Sequence, residues 1–177
     1  QHSAIAFDDA KILLFPVRSA KGVFSWITSA RALYRFQLDL SRLGDFENIQ
    51  FIDLKNDLKN NEIQVFSNSL LNDKKQAIFE EYLFQKTDDR VPKITVGKAQ
   101  SAEATNTTHS ISKFLADIVY PINENPYWNM LLSNQLAIVS DEMFRNIVLL
   151  HTEVRTRNKI NPETGTADGG KLFVDEH

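Results

Sequence analysis

The sequence predicts a fold of mixed helices and strands, the α+β class, and three observations support this prediction. Short continuous apolar runs, such as Leu136–Val139, fit buried strands. Apolar residues recur at helical spacing between residues 30 and 43 and between residues 141 and 151. From residue 152 onwards the side chains alternate in character, which is typical of an extended strand.

The composition suits one domain that carries an insertion. The chain has 177 residues, of which 42% are hydrophobic and 24% charged, so it can bury a core. We expect a single, partial domain over residues 1–177, with an insertion-rich middle over residues 45–135. Because the sequence begins without methionine and ends abruptly after an apolar triplet, we expect a fragment that lacks both ends.

Charge and cysteine content exclude several classes of protein. A formal net charge of −3 argues against a surface that is basic everywhere, although a local basic stripe is compatible with it. The absence of cysteine excludes a disulfide framework and a thiolate metal site, and it agrees with a reducing compartment. No apolar run approaches the roughly 20 residues of a membrane span, and no signal-peptide pattern is visible. We therefore expect a cytoplasmic protein.

The first elements are a strand, a short basic loop and a helix. The apolar run at 12–17 predicts a buried strand, and Pro16 restricts that strand to the edge or end of a sheet. Thr28 or Ser29 is a candidate N-cap for the helix, which Gly44 is placed to end. The loop between strand and helix carries two cations, Arg18 and Lys21.

The middle of the chain gives weaker signals. Residues 49–54 and 62–66 predict short strands with a polar loop between them. Residues 77–85 fit either a strand or a short helix. The polar stretch 87–108 predicts an irregular insertion, and residues 111–120 predict a helix that ends before a proline.

The last third of the chain is clearer. Leu136–Val139 predicts a short buried strand, after which Ser140 is placed to cap a helix with acidic residues in its first turn. His151 falls on the apolar stripe of that helix, which favours a partly buried structural histidine over a metal ligand.

A β-hairpin with a polar shaft is predicted over residues 152–176. Arg155, Arg157 and Lys159 would share one face of an extended strand, roughly 6.6 Å apart, which is close to the spacing of phosphates along a single nucleic-acid strand. Turn residues at 161–165 and a returning strand complete the hairpin. Two interpretations remain open: a solvated hairpin with edge-protecting charges, or an arm that contacts nucleic acid.

Other candidate sites have competing explanations. The four histidines lack zinc-ligand spacing, there is no phosphate-binding glycine motif, and we assign no metal ligand. Asp175 and Glu176 could serve as acid–base or metal carboxylates, although a solvated strand end explains them as well. Phe24, Trp26 and Tyr34 lie near basic residues and could stack on bases, but core packing is the default for them.

Three blocks of the sequence together resemble a known family. They are DDAKILLFPVRSAKGVFSWITS (residues 8–29), LAIVSDEMFRNIV (residues 136–148) and TEVRTRNKINPETGTADGGKLFVDE (residues 152–176). In this order they resemble the backbone subunit of the type III-B CRISPR effector, the Cmr complex, within the RAMP superfamily. The blocks cover about a third of the chain directly.

The resemblance implies a ferredoxin-like, RRM-related core with insertions and a protruding hairpin thumb over residues 152–176. Copies of the subunit would stack along one CRISPR RNA, beside other Cmr subunits, with complementary target RNA as a further partner. Arg18 and Lys21 would bind the guide RNA, and Arg155, Arg157 and Lys159 would bind RNA from the thumb. Cationic side chains can hold phosphates without reading sequence, as a guide-loaded scaffold requires.

The resemblance also implies an RNA-guided endoribonuclease that acts in antiviral defence. Cleavage in the family needs a divalent metal ion, which we expect to be Mg²⁺, and a catalytic aspartate that aligns upstream of the first block. Glu176 and His177 stand where the family has an acidic–aromatic cluster that supports cleavage. Two alternatives remain: a non-catalytic RNA-binding scaffold of a related RAMP complex, or a non-CRISPR module whose hairpin docks a protein by strand addition.

Overall fold

The structure is a computed structural model that describes residues 10–43, 46–98, 106–152, 155–160 and 167–175. The chain divides into two compact units, Gln1–Phe144 and Arg145–His177. The strands are β1 (Phe15–Ser19), β2 (Val23–Ser29), β3 (Phe46–Ile52), β4 (Glu62–Val65), β5 (Gln76–Phe79), β6 (Tyr82–Lys86), β7 (Lys93–Lys98), β8 (Thr107–Ser110), β9 (Leu136–Val139), β10 (Arg155–Ile160) and β11 (Ala167–Asp175). The helices are α1 (Ala30–Leu43), α2 (Ile111–Val119), α3 (Pro126–Gln135) and α4 (Asp141–His151), with a 3₁₀ turn at Asn68–Leu70.

Six strands of the first unit close into a barrel in the order β1-β2-β9-β4-β6-β5. Strand β9 pairs in parallel with β2 and antiparallel with β4, and all four of its residues are buried. A strand that is covered on both faces reads as a continuous apolar run, which explains why β9 was predicted with its observed bounds. Phe79 and Phe84 are fully buried with ring centroids 5.7 Å apart, as expected for side chains that fill a small barrel.

The larger core of the first unit lies between the barrel and its helices. Strands β3, β7 and β8 form a separate antiparallel sheet with β7 in the middle. Apolar side chains from this sheet, from α1 to α3 and from β2 and β9 form one buried cluster. Among the described residues, no helix is long and apolar enough to cross a membrane.

The α+β class predicted from the sequence is confirmed, and several predicted elements have the expected bounds or ends. Helix α1 begins after Ser29, whose Oγ accepts a hydrogen bond from the backbone N–H of Ala32 at 3.4 Å. Helix α2 is capped in the same way by Ser110, and α4 by Ser140. Gly44, predicted to end α1, lies outside the described residues.

Other elements differ from the prediction because pairing with neighbouring strands, and not the local apolar pattern alone, defines their bounds. The first strand is Phe15–Ser19 rather than residues 12–17, and Pro16 lies where β1 is paired with β2 alone. Residues 77–85 are neither one strand nor a helix but belong to the hairpin of β5 and β6. The stretch 87–108, predicted to be irregular, contains β7, which β3 and β8 flank on either side. Helix α3 and the closed barrel were not predicted.

The second unit contains a two-stranded antiparallel hairpin, as the alternating pattern predicted. Arg155 pairs with Asp175 and Arg157 with Phe173 along β10 and β11. The register shifts between Asn158 and Ile160, so Lys159 lies at an irregularity of the ladder. Arg155 and Arg157 therefore lie in the regularly paired part of β10, whereas Lys159 lies at the register shift.

Candidate nucleic-acid interface

The loop between β1 and β2 presents the two cations of the first sequence block. Ser19 and Val23 are paired, so the loop consists of residues 20–22. Gly22 has a φ of +87°, and a Cβ atom there would lie 2.6 Å from Nε2 of Gln135 at the end of α3. Glycine is therefore the residue that fits this turn both in backbone conformation and in space.

Further hydrogen bonds fix the loop against the neighbouring strand. The hydroxyl of Ser19 donates to the carbonyl of Lys21 at 2.6 Å. The backbone N–H of Ala20 donates to the carbonyl of Ile78 on β5 at 3.1 Å. The loop is thus held by β5 and by its own turn, so its two cationic side chains extend from a rigid backbone.

Arg18 is bound to Glu80, in the turn between β5 and β6, at three points. Its backbone N–H donates to Oε1 of Glu80 at 2.7 Å, and its Nε donates to Oε2 at 2.6 Å. The carbonyl of Arg18 accepts a hydrogen bond from the backbone N–H of Glu80 at 2.9 Å. The Glu80 side chain is 6% exposed, whereas that of Arg18 is 81% exposed. One edge of the guanidinium is therefore fixed while the side chain remains open to solvent, a geometry that suits a phosphate contact.

Lys21 is held differently. Its Nζ donates to the carbonyl of Leu71 at 2.7 Å, just beyond the 3₁₀ turn at Asn68–Leu70. A carbonyl oxygen orients an ammonium group without neutralising its charge. The contact therefore leaves the charge of Lys21 unbalanced, and each of the two cations lines a depression of the surface.

The aromatic residues considered for base stacking are mainly packing residues. Trp26 is 8% exposed and belongs to the buried cluster, with its ring centroid 4.7 Å from that of Phe24 in an edge-to-face contact. Tyr34 is 42% exposed and makes an edge-to-face contact with Phe51 at 5.3 Å. The default interpretation of Trp26 as a core residue is therefore confirmed.

The remaining predicted site residues belong to the second unit. Arg155, Arg157 and Lys159 lie on β10, at the register positions given above. Glu176 and His177, which the resemblance associates with cleavage, lie outside the described residues. The structure thus brings Arg18 and Lys21 together on one hairpin and the other three cations together on one strand.

No pattern in the sequence indicated that Glu80 is the partner of Arg18. The two residues are 62 positions apart, and Glu80 lies in a segment for which strand and helix were both possible. The paired acidic residues at 80–81, between two short apolar stretches, are the signal that a hairpin interpretation would have used.

Comparisons with known proteins agree with the family resemblance of the three sequence blocks. No protein-family model matches the chain. The CRISPR system Cmr endoribonuclease Cmr4 of Pyrococcus furiosus is 32% identical over 181 residues, which cover 100% of this chain and 52% of that protein. The chain thus spans about half the length of the curated relative it matches.

Solved structures agree as well. A crystal structure of Pyrococcus furiosus Cmr4 (Cas7) matches with a TM-score of 0.53 and 25% identity, over 80% of this chain and 48% of that one. A structure of oligomeric Cmr4 from Pyrococcus furiosus matches with a TM-score of 0.54 and 28% identity, over 81% of this chain and 46% of that one. Sequence and fold therefore point the same way: this chain is a relative of the Cmr subunit Cmr4 (Cas7).

Proposed function

We propose that this chain is part of a backbone subunit that binds CRISPR RNA in a type III-B RNA-silencing complex. The observation that carries the proposal is the 32% identity to the Pyrococcus furiosus Cmr endoribonuclease over the whole of this chain. The loop of β1 and β2 supplies the contact: Arg18 and Lys21 bind phosphates of the guide. Phosphate contacts position RNA without reading its sequence, which leaves specificity to base pairing.

The rigidity of the loop supports this role. Arg18 is fixed by Glu80 and Lys21 by the carbonyl of Leu71, so little side-chain freedom is lost when a phosphate binds. In a chain with a formal net charge of −3, RNA binding needs such local cationic sites. Arg155, Arg157 and Lys159 on the hairpin of β10 and β11 form the second RNA-binding element, a thumb that contacts the guide–target duplex.

The strand order supports a ferredoxin-like, RRM-related core within the barrel. Strands β2 and β9 are parallel neighbours, and each is followed by a helix, α1 or α4. Strand β4 pairs antiparallel with β9. Parallel neighbours that each lead into a helix are a feature of the β-α-β units of that fold. Strands β1, β5 and β6 complete the barrel around them.

The full-length protein would cut guide-complementary target RNA as part of antiviral defence in the cytoplasm. Its partners would be CRISPR RNA, target RNA, further copies of itself and other Cmr subunits. Cleavage would use a divalent metal ion, Mg²⁺, which would stabilise negative charge on the reacting phosphodiester. Glu176 and His177 would support that step, and the main catalytic carboxylate would lie upstream of the first block.

The test of guide binding uses the full-length protein and a labelled CRISPR RNA over a series of salt concentrations. The double substitution Arg18→Ala with Lys21→Ala should weaken binding for every guide sequence and lower the slope of log K against log[salt] by about 0.7 for each lost phosphate contact. Arg42→Ala with Lys59→Ala is the matched control, because it removes two exposed cations that are paired with Asp39 and Glu62. Equal effects of the loop and control variants, or a loss confined to particular sequences, would contradict the proposal.

The test of cleavage adds complementary RNA to the guide-loaded protein, with Mg²⁺ or with EDTA. Cutting at regular intervals in Mg²⁺ alone supports the endoribonuclease. Guide binding without cutting favours the non-catalytic scaffold. A protein that binds no RNA favours the protein-interaction module, whose hairpin would dock a partner by strand addition.

A further inference from the structure

A groove beside Lys21 contains more positive charge than its own carboxylates balance. It lies between the 3₁₀ turn at Asn68–Leu70 and the hairpin of β5 and β6. We call it the lysine groove. Its charged side chains are Lys21, Asp73, Lys75, Lys86 and Asp89, and its amide side chains are Asn68 and Asn72. Neither Lys75 nor Lys86 was identified as a site residue from the sequence.

Lys86 gives the groove a buried cation. Its side chain is 9% exposed, and its Nζ donates to Oδ1 of Asn68 at 3.1 Å and to Oδ1 of Asp89 at 2.8 Å. An ammonium group that is withdrawn from water requires such partners. Asn68 and Asp89 therefore fix the position of this positive charge at the floor of the groove.

Lys75 approaches the same carboxylate from the other side. Its Nζ lies 3.6 Å from Oδ2 of Asp89, while its backbone carbonyl accepts a hydrogen bond from the N–H of Lys86 at 3.0 Å. The hydrogen bond from Lys86 and the charges of both lysines lower the pKa of Asp89 below its ordinary value. One exposed carboxylate thus bridges two ammonium groups, each of its oxygens facing a different lysine.

The charges of the groove do not cancel. Three lysines face two aspartates, which leaves one positive charge in excess, and the ammonium of Lys21 is bonded to the uncharged carbonyl of Leu71. The ion pair of Asp89 with Lys75 is weak, because the side chain of Asp89 is 75% exposed and that of Lys75 is 64% exposed. An oxyanion with two or more free oxygens can take the place of that carboxylate between the lysines.

We propose that the lysine groove is a second phosphate-binding subsite, which takes a phosphodiester group of the RNA strand next to the one bound at Arg18 and Lys21. The side chain of Asp89 occupies the subsite when RNA is absent and is displaced when the strand binds. The inference rests on the proposed function, since the strand that reaches Lys75 is the one that Lys21 holds. It adds Lys75 and Lys86 to the RNA contacts and makes Asp89 a competitor of the phosphate.

The experiment measures binding of a labelled single-stranded CRISPR RNA by the full-length protein at several salt concentrations. Lys75→Gln should weaken binding several-fold and reduce the salt slope by about 0.7, the value for one phosphate contact on a single strand. Asp89→Asn should strengthen binding, because the competing carboxylate loses its charge. Lys75 is the better lysine to change, since it is exposed and its loss leaves the buried Lys86 paired with Asp89.

The matched control is Asp39→Asn, which makes the same change in net charge at an exposed ion pair on α1. Asp89→Asn should raise the affinity for the RNA more than this control does. That gain in affinity should vanish when Lys75→Gln is also present. Equal gains in Asp89→Asn and Asp39→Asn would mean a general charge effect and would overturn the subsite. If Arg18→Ala with Lys21→Ala weakens binding while Lys75→Gln does not, the subsite is wrong and the proposed function stands. A wild-type protein that binds no guide RNA refutes both.

Discussion

The carboxylate of Glu80 and the backbone of Arg18 hold each other in a closed ring of hydrogen bonds. The N–H of Arg18 donates to Oε1 of Glu80, and the N–H of Glu80 donates to the carbonyl of Arg18. Glu80 adopts a φ of +52°, a backbone conformation that residues other than glycine rarely adopt. The turn between β5 and β6 is therefore kept in an unusual conformation that serves the cationic loop.

Glu80→Gln should destabilise the protein. The substitution replaces one charged acceptor by an amide group that faces the N–H donors of Arg18, and hydrogen bonds to charged groups are worth about 1.5–3 kcal/mol. We expect a loss of about 1–3 kcal/mol in the free energy of unfolding, measured by denaturant titration at neutral pH. Asp57→Asn, at an exposed carboxylate, is the control and should change stability by less than about 0.5 kcal/mol. Equal midpoints for the two variants would rule out a stabilising role of this pair.

Gly22→Ala should distort the loop for two separable reasons. The φ of +87° costs an L-residue about 1–2 kcal/mol, and the new Cβ would meet Nε2 of Gln135 at 2.6 Å. Combining Gly22→Ala with Gln135→Ala removes the steric part and leaves the backbone part. The free-energy cost of Gly22→Ala should therefore be smaller in a Gln135→Ala background than in the wild type, but it should not be zero. Full recovery would show that the backbone conformation of residue 22 costs nothing.

Local sequence signals predicted the elements that are stabilised locally. Strand β9 reads as four apolar residues in a row, and Ser140 after it is a typical N-cap, so both were found where they lie. Strand β7 was missed because β3 and β8, its two neighbours in the sheet, lie on opposite sides of it in the chain and determine its conformation. Helix α3 was missed because Tyr127 and Met130, among its large apolar residues, are exposed and give no apolar stripe.

The candidate site was predictable only in part for the same physical reason. Arg18 and Lys21 were found through a local motif, but their surroundings come from elsewhere in the chain. Glu80 is 62 positions from Arg18, and Leu71 is 50 positions from Lys21. Closure of the barrel between β1 and β5 brings these partners together, and no short-range pattern indicates that closure.

Ser140 should stabilise α4 through two hydrogen bonds that can be separated. Its Oγ accepts from the backbone N–H of Met143 at 3.1 Å and donates to Oδ1 of Asn60 at 2.7 Å. Ser140→Ala removes both contacts and should cost about 1–2 kcal/mol of unfolding free energy, as for other N-caps. Asn60→Ala removes the second contact, together with the exposed hydrogen bond from Nδ2 of Asn60 to Glu142 at 2.9 Å, but keeps the cap to Met143 and should cost less. If the two variants lose the same stability in urea titrations, the cap to Met143 contributes no more than that exposed hydrogen bond.

Asn129 connects α2 to α3 through a buried amide. The side chain is 2% exposed, its Nδ2 donates to Oδ1 of Asp117 and to the carbonyl of Tyr120, both at 2.8 Å, and its Oδ1 accepts from Nζ of Lys113 at 2.9 Å. Asn129→Ala takes the amide donor from the carbonyl of Tyr120 and the amide contacts from Asp117 and Lys113, which still pair with each other. We therefore expect a loss of about 1–3 kcal/mol in thermal or chemical denaturation. Asn129→Asp, which keeps the size but adds a second carboxylate beside Asp117, should also destabilise. A loss below about 0.5 kcal/mol in Asn129→Ala would contradict the role of this amide.

Asp117 should make part of the stability of this region dependent on pH. Burial raises the pKa of its carboxyl, but the hydrogen bonds from Lys113 and Asn129 and the charge of Lys113 outweigh burial, and the pKa lies below its ordinary value of 3.8. Because the folded state then binds the proton more weakly than the unfolded state, the ionised carboxylate stabilises the fold above pH 3.8. This stabilisation is lost as the pH falls through the folded-state pKa.

The measurement compares the free energies of unfolding of the wild type and Asp117→Asn at pH 6 and at about pH 3. The Asp117 side chain is 45% exposed, so the difference at pH 6 should be about 1 kcal/mol or less, as for other exposed ion pairs. It should be smaller at the lower pH, because the stabilisation by the ionised carboxylate decreases as the pH falls below 3.8 towards the folded-state pKa. In a Lys113→Gln background the difference at pH 6 should be smaller, because the ammonium contact at 2.7 Å is gone. A difference that grows as the pH falls would have the wrong sign and would mean that the carboxylate destabilises the folded protein.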